Sequence, residues 1–170
     1  MVTAMTDAEQ AALIQKQATQ AQALDYLRRI LLAPVYDVAV ETALTPMTKL
    51  SSRLGNQIFL KREDQQPVHS FKLRGAYNKL ANLSEQQCLH GVIAASAGNH
   101  AQGLALAAHK LGIKATIVMP ITTPDIKVDN VRRYGAEVRL IGKSFNEAQQ
   151  ASMEYAQAEN KTVIHPFDDS

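Results

Sequence analysis

A single cysteine, Cys88, stands in 170 residues, so no disulfide can close within the chain and a reducing compartment is expected. Cys88 reads as a small residue in a short helix. His90 is close in sequence, but no base is placed to make the thiol a nucleophile. Runs of like charge are missing as well: 18 Lys+Arg and 16 Asp+Glu are interspersed, for a net charge of +2. That leaves no basic stripe for nucleic acid or for a membrane surface, while a local anion site, which needs only a few donors, stays open. No apolar run approaches the length of a membrane span. Before Arg28 there is no arginine and no long apolar run, and Asp7 and Glu9 are present, so neither a signal nor a transit peptide is expected. These absences point to a cytoplasmic protein. At 46% hydrophobic and 20% charged residues, the composition is that of a globular chain able to bury a core without disulfides or metal, and no metal site is expected.

What the chain does have is alternation. Residues 7–32, rich in Ala and Gln with Leu24, Leu27 and Leu31 at helical spacing, predict a helix that stops before Pro34. Thr6-Asp7-Ala8-Glu9 has the form of a capping box. Residues 35–56 carry two Pro-marked segments, with Thr45-Pro46 between them, where short strands and loops are expected, and then a small helix over 48–54 ending at Gly55. Ile58–Lys61 reads as a strand, and a helix is expected from Phe71 to about Asn82, with Ser70 as N-cap. Strand and helix signals then alternate. Strands are expected at Val92–Ala95, Ala115–Met119, Val138–Ile141 and Thr162–Ile164. Helices are expected after a capping box at Ser84-Glu85-Gln86-Gln87, from Asn99 to Leu111, from Thr123-Pro124 with Pro124 as the first helical residue, and from a capping box at Ser144-Phe145-Asn146-Glu147 to about Glu159. Short strands separated by helices imply right-handed crossovers, and hence an α/β fold with a parallel sheet and helices on both faces. Ligands gather at the carboxyl ends of such strands, and both Lys72 and the loop after Ala95 are expected just beyond strand ends.

Two stretches carry the chemistry. The first is Glu63–Tyr77, centred on Lys72, a lysine that follows Phe71 where an extended, Pro-containing run gives way to a helix. The second is Ser96-Ala97-Gly98-Asn99-His100-Ala101-Gln102-Gly103, which leaves a buried strand and opens a helix. Free N–H groups at such a helix start attract a carboxylate or phosphate, and the small residues Ser96, Ala97 and Gly98 let a ligand approach the backbone. The same loop also reads as a plain turn, with Asn99 as a cap and His100 as a local hydrogen-bonder. It is not a dinucleotide fingerprint, because the G-x-G-x-x-G spacing is absent. It is not a P-loop either, because Leu104 stands where that motif needs lysine.

Together, Glu63–Tyr77 and Ser96–Gly103 resemble the biosynthetic threonine dehydratases, of the tryptophan-synthase-β-like class of pyridoxal phosphate enzymes. The resemblance runs from about residue 24 through Tyr26–Tyr36, Thr45–Ser52, Met119-Pro120 and Asp125–Lys127 to Pro166-Phe167-Asp168. It implies a type II pyridoxal phosphate fold, incomplete here. Residues 1–62 would be the N-terminal helix and the start of the larger domain, 63–162 the smaller α/β domain, and 163–170 the start of a return to the larger one. It implies pyridoxal 5'-phosphate as cofactor, Lys72 as the catalytic Schiff-base lysine, Phe71 packed beside the cofactor ring, and Asn99 bonded to its phenolic oxygen. Ser96, Gly98, Asn99 and His100 would surround the substrate carboxylate. The activity implied is dehydration and deamination of L-threonine to 2-oxobutanoate and ammonia, the first step of isoleucine biosynthesis, by an enzyme that is usually a homotetramer.

The chain departs from that pattern in two places. Ala43 stands where relatives commonly have proline. The eight glycines are all isolated, whereas the family cradles the cofactor phosphate in a tetraglycine loop. The resemblance therefore implies the N-terminal part of a longer enzyme, without the isoleucine-binding regulatory domain and inactive on its own. The alternatives are a catalytically inactive α/β module working through a partner, and a serine-preferring relative.

Overall fold

Leu73, Ile93, Leu104, Ile117 and Val118 are all fully buried, and around them the alternation of strands and helices closes into layers. A computed structural model describes residues 7–167. The chain divides into two units, one up to Ala33 and one from Pro34 onward.

The first unit is helix α1, Asp7–Leu32. Its Ala, Gln and Leu content favours helix, and it ends before Pro34 as expected. The predicted capping box begins at Thr6, outside the described residues. Leu24, Leu27, Ile30, Leu31 and Leu32 are exposed.

The second unit opens with a 3-10 turn at Val35–Asp37 and strand β1, Leu44–Pro46. Helix α2, Thr48–Leu54, ends on Gly55 at φ 60°, the left-handed conformation that terminates helices at low cost to glycine. Strand β2, Phe59–Lys61, pairs antiparallel with β1 as a separate two-stranded ribbon. Lys72 is therefore not placed by a strand of the main sheet just before it. Residues 62–71 intervene, with a 3-10 turn at Glu63–Gln65.

Helix α3, Lys72–Ala81, and the one-turn helix α4, Glu85–Cys88, follow. Helix α4 has both halves of its capping box, between Ser84 and Gln87. Then come β3 (Val92–Ala95), α5 (Asn99–Leu111), β4 (Ala115–Met119), α6 (Asp125–Arg133), β5 (Glu137–Leu140), α7 (Phe145–Ala158) and β6 (Thr162–Val163). Pro124 is the N-cap of α6 rather than its first helical residue. The Ser144 hydroxyl accepts from the Glu147 N–H, but the Glu147 carboxylate turns to the Lys143 N–H, so that box is only half closed.

The four-stranded sheet is parallel throughout, in the order β5-β4-β3-β6. Every residue of β3 and β4 is buried, as strands covered on both faces must be. Alternate residues serve opposite faces. Val92, Ala94, Ile117 and Met119 join one cluster with Leu73, Leu80, Leu104 and Val131, from α3, α5 and α6. Ile93 and Val118 join the other with Ala148 and Ala156 of α7. The chain runs from β3 outward through β4 to β5, then returns to set β6 on the far side of β3. The strand order thus reverses between β3 and β6, and in open α/β sheets the crevice at the carboxyl ends beside such a reversal is where ligands bind.

Candidate active site

The residues that follow β3 and β6 meet the start of α3 at that reversal. A cleft of about 220 Å³ is lined there by Phe71, Lys72, Gly75, Lys79, His100 and the segment Ile164–Phe167, among others. Sequence reasoning placed Phe71, Lys72 and His100 in the site, and the cleft brings these three together. Ser96, Gly98 and Asn99 belong to the turn that carries His100 but are not among the lining residues.

Lys72 is the first residue of α3. Its N–H donates to the Ser70 hydroxyl at 3.1 Å, so Ser70 supplies the helix-start acceptor expected of it, although Phe71 holds the cap position. The Lys72 ammonium donates to the Pro166 carbonyl at 2.6 Å, which bridges α3 to the segment after β6. It lies between two rings, 5.8 Å from the centre of Phe71 and 5.2 Å from that of Phe167. Both rings are exposed, 61% and 80% respectively, so the amine sits against flat apolar surfaces that a planar ligand can reach.

The lead-in to Lys72 is held from behind. Buried Gln66 exchanges hydrogen bonds with the backbone of Val40, accepting from its N–H and donating to its carbonyl, each at 2.9 Å. Glu63 accepts from Arg74 at 2.9 and 3.0 Å and from Thr42 at 2.8 Å. The Arg74 hydrogen bonds hold the Glu63 carboxyl down to about 2; burial opposes this, and Thr42 and Gln66 reinforce it. His69 adopts φ 54° in this lead-in, a left-handed conformation uncommon outside glycine, and a ring nitrogen lies 3.1 Å from the Asp64 carbonyl.

At the start of α5, the buried Ser96 hydroxyl accepts from the Gly98 and Ala101 N–H groups at 3.3 and 3.2 Å. Its own O–H is left to donate. Among the described residues, the Asn99 N–H has no protein acceptor, and the Asn99 side chain is exposed. A Cβ built on Gly98 meets nothing within 4 Å, so the loop leaves open space at a helix N-terminus. Buried His100 has Nε2 3.3 Å from the Ile164 carbonyl. A carbonyl only accepts, so this nitrogen carries the hydrogen, and it ties α5 to the end of β6.

Three features escaped the sequence reading. Gly75 lines the cleft one turn after Lys72, and a Cβ there would also meet nothing within 4 Å. His165 and Phe167 lie on the wall, placed by the pairing of β6 with β3. Gly103, noted only as a loop glycine, touches the Lys72 backbone. A glycine inside a predicted helix costs about 1 kcal/mol against alanine, so both were detectable as glycines with a reason to be there: close backbone approach at Gly103, open space on the cleft at Gly75.

These residues fit the ring and aldehyde end of pyridoxal phosphate. A primary amine stands beside exposed aromatic surface, with open space where glycines replace side chains. An asparagine and a helix N-terminus lie on the adjoining turn.

Comparison with known proteins agrees. The family pattern described as pyridoxal-phosphate dependent enzyme matches residues 35–170. L-threonine dehydratase biosynthetic IlvA of Pasteurella multocida is 60% identical over 144 residues, covering 85% of this chain and 28% of that protein. The Escherichia coli protein of the same name is 58% identical with the same coverage. Among solved structures, the processed form of threonine deaminase isoform 2 from Solanum lycopersicum superposes with a TM-score of 0.83 at 54% identity. The match covers 88% of this chain and 41% of that one. Maize serine racemase gives 0.78 at 32% identity, covering 84% and 43%. The chain thus spans about 28% of the length of these curated bacterial relatives.

Proposed function

The chain belongs to the pyridoxal-phosphate dependent enzymes, and from that premise we propose that it carries the lysine half of a threonine dehydratase active site. The activity is conversion of L-threonine to 2-oxobutanoate and ammonia, a step toward isoleucine. The observation that carries this reading is the position of Lys72 at the strand-order reversal, its amine between two exposed rings. The similarity to threonine dehydratases over 85% of the chain supports it.

In this reading Lys72 is the covalent attachment point and Phe71 packs against the pyridine ring. Asn99 bonds the phenolic oxygen. Ser96, Gly98, Asn99 and His100 form the turn that takes the substrate carboxylate. The donors suited to that carboxylate are the Ser96 O–H and the Asn99 N–H at the start of α5, while His100 holds the turn against Ile164. Residues 63–162 act as the smaller domain, with the segment after β6 beginning the return to a larger one.

The chemistry supplied by bound pyridoxal phosphate is an electron sink for the pair left on the substrate α-carbon. With its amine free and neutral, Lys72 would take the α-proton on Nζ. The Pro166 carbonyl gives that amine a fixed hydrogen-bond acceptor and so keeps it beside the reacting face. The β-hydroxyl would take up a proton and leave as water, and hydrolysis would consume one water, so that threonine gives 2-oxobutanoate and ammonia with no net water.

The test is production of 2-oxobutanoate from threonine and of pyruvate from serine by a polypeptide that carries these residues and binds the cofactor. Threonine turnover that falls by several orders of magnitude in Lys72→Ala is the expected result. Turnover that survives Lys72→Ala, or a preference for serine, would overturn the assignment or its substrate.

A further inference from the structure

We propose that Gly103 is a positioning residue for Lys72: its missing side chain lets the first turn of α3 rest directly on α5, and that contact fixes where the lysine stands. The functional weight of this proposal rests on reading Lys72 as the cofactor lysine. The contact itself does not.

A Cβ built on Gly103 lies 3.0 Å from the Leu73 nitrogen, 3.1 Å from the Lys72 carbonyl carbon and 3.2 Å from the Lys72 carbonyl oxygen. All three neighbours are backbone, and all belong to the residue that bears the amine or to the peptide just after it. Such distances are tighter than nine in ten real Cβ contacts, so the neighbouring backbone must give by a few tenths of an ångström, and interiors packed at crystal density pass such strain on. Helix α5 otherwise places Ala101, Ala105, Ala107 and Ala108 in the core. Those residues favour helix, whereas an interior glycine costs about 1 kcal/mol. The glycine stands where the Lys72 peptide crosses.

The first turn of α3 is tied together at several points, so a shift of one of its peptides is passed along the turn. Leu73 is fully buried, the Ser70 hydroxyl holds the Lys72 N–H, and Arg74 is paired with Glu63. A push of a few tenths of an ångström at Gly103 therefore reaches the Lys72 Cα, and with it the 2.6 Å contact between Nζ and the Pro166 carbonyl.

The experiment compares Gly103→Ala with Ala148→Gly. The second variant weakens a helix on the opposite face of the sheet. Lysines are reductively methylated with ¹³C-formaldehyde in the 170-residue chain, and the Lys72 signal is assigned by its loss in Lys72→Arg. Gly103→Ala is expected to keep the fold while displacing the Lys72 resonance. Ala148→Gly is expected to lower the melting temperature and leave that resonance unchanged. In a cofactor-binding form, Gly103→Ala should also cut borohydride-fixed cofactor on Lys72 by about tenfold or more, the scale of loss from small misplacements. An unmoved Lys72 signal in Gly103→Ala overturns the proposal. So does a chain that no longer folds, because Gly103 would then be a core residue and not a positioning one. If the unaltered protein never attaches the cofactor at Lys72, the functional reading fails while the methylation result still decides the contact.

Discussion

At the scale of single residues, the ion pair behind Lys72 ties pH to stability. Glu63 has its carboxyl at about 2, held down first by hydrogen bonds from Arg74, against an ordinary value of 4.5. A carboxyl depressed in the folded state stabilises the fold above its ordinary value, and that contribution is lost as pH falls from about 4.5 toward 2. Glu159 is depressed to about 2 as well, by Arg139 and then Lys161, so it adds to the same acid limb. Its more open setting makes its share salt-sensitive. Melting temperature followed against pH should therefore fall across this window, and Glu63→Gln should flatten the fall only in part. At neutral pH, Glu63→Ala leaves Arg74, Thr42 and Gln66 without their shared acceptor and should cost about 1–3 kcal/mol in urea unfolding. Lys72 and the Ser96–Gly103 turn were legible at this scale because lysine after an aromatic residue and small residues before a helix are local patterns. The Gln66–Val40 clasp was not, since its partners lie 26 residues apart, and neither was the Glu63–Arg74 pair, whose partners share one stretch but meet only through the fold of the irregular lead-in between them.

At the scale of elements, α3 and α5 form the seat of the site, and their contact is apolar. Leu73 and Leu104 are fully buried in the cluster that joins these helices to the sheet. Leu73→Ala should cost about 2–5 kcal/mol, the range for cavities that collapse incompletely. It should also loosen the turn bearing Lys72, seen as faster hydrogen exchange at the start of α3. Helix ends were readable wherever punctuation is chemical: Gly55, Gly112 and Gly135 all take positive φ at or just past helix ends. Ser84 closes a full capping box, and Ser84→Ala should cost about 0.5–2 kcal/mol. The pairing of Phe59–Lys61 was not readable. Short strands are expected among residues 35–56, and β1 is one of them, but Leu44-Thr45-Pro46 is three residues long and carries a proline, so nothing local marks it as the partner of Phe59–Lys61. Lys72 therefore does not follow a strand of the main sheet, because β2 belongs to the separate ribbon.

At the scale of the whole molecule, the parallel sheet and its reversal between β3 and β6 create the crevice, and alternation alone predicted the sheet. The strand order is a property of long-range pairing and became visible only in the fold. On one face of the β1–β2 ribbon Leu44 and Phe59 are exposed, at 62% and 53%, with Pro46 between them. Adjoining exposed apolar groups drive association, so sedimentation of the isolated chain should show concentration-dependent self-association that Phe59→Lys reduces. No described helix is long and apolar enough to cross a membrane. The central claim is that Lys72 is the residue to which pyridoxal phosphate attaches. Adding pyridoxal phosphate, reducing with borohydride and mapping the modified lysine by mass spectrometry tests it most directly. A single dominant tag on Lys72 is expected in a longer polypeptide of the relatives' length that carries these residues. A tag spread evenly over surface lysines in the longer polypeptide, or one concentrated elsewhere, would contradict it.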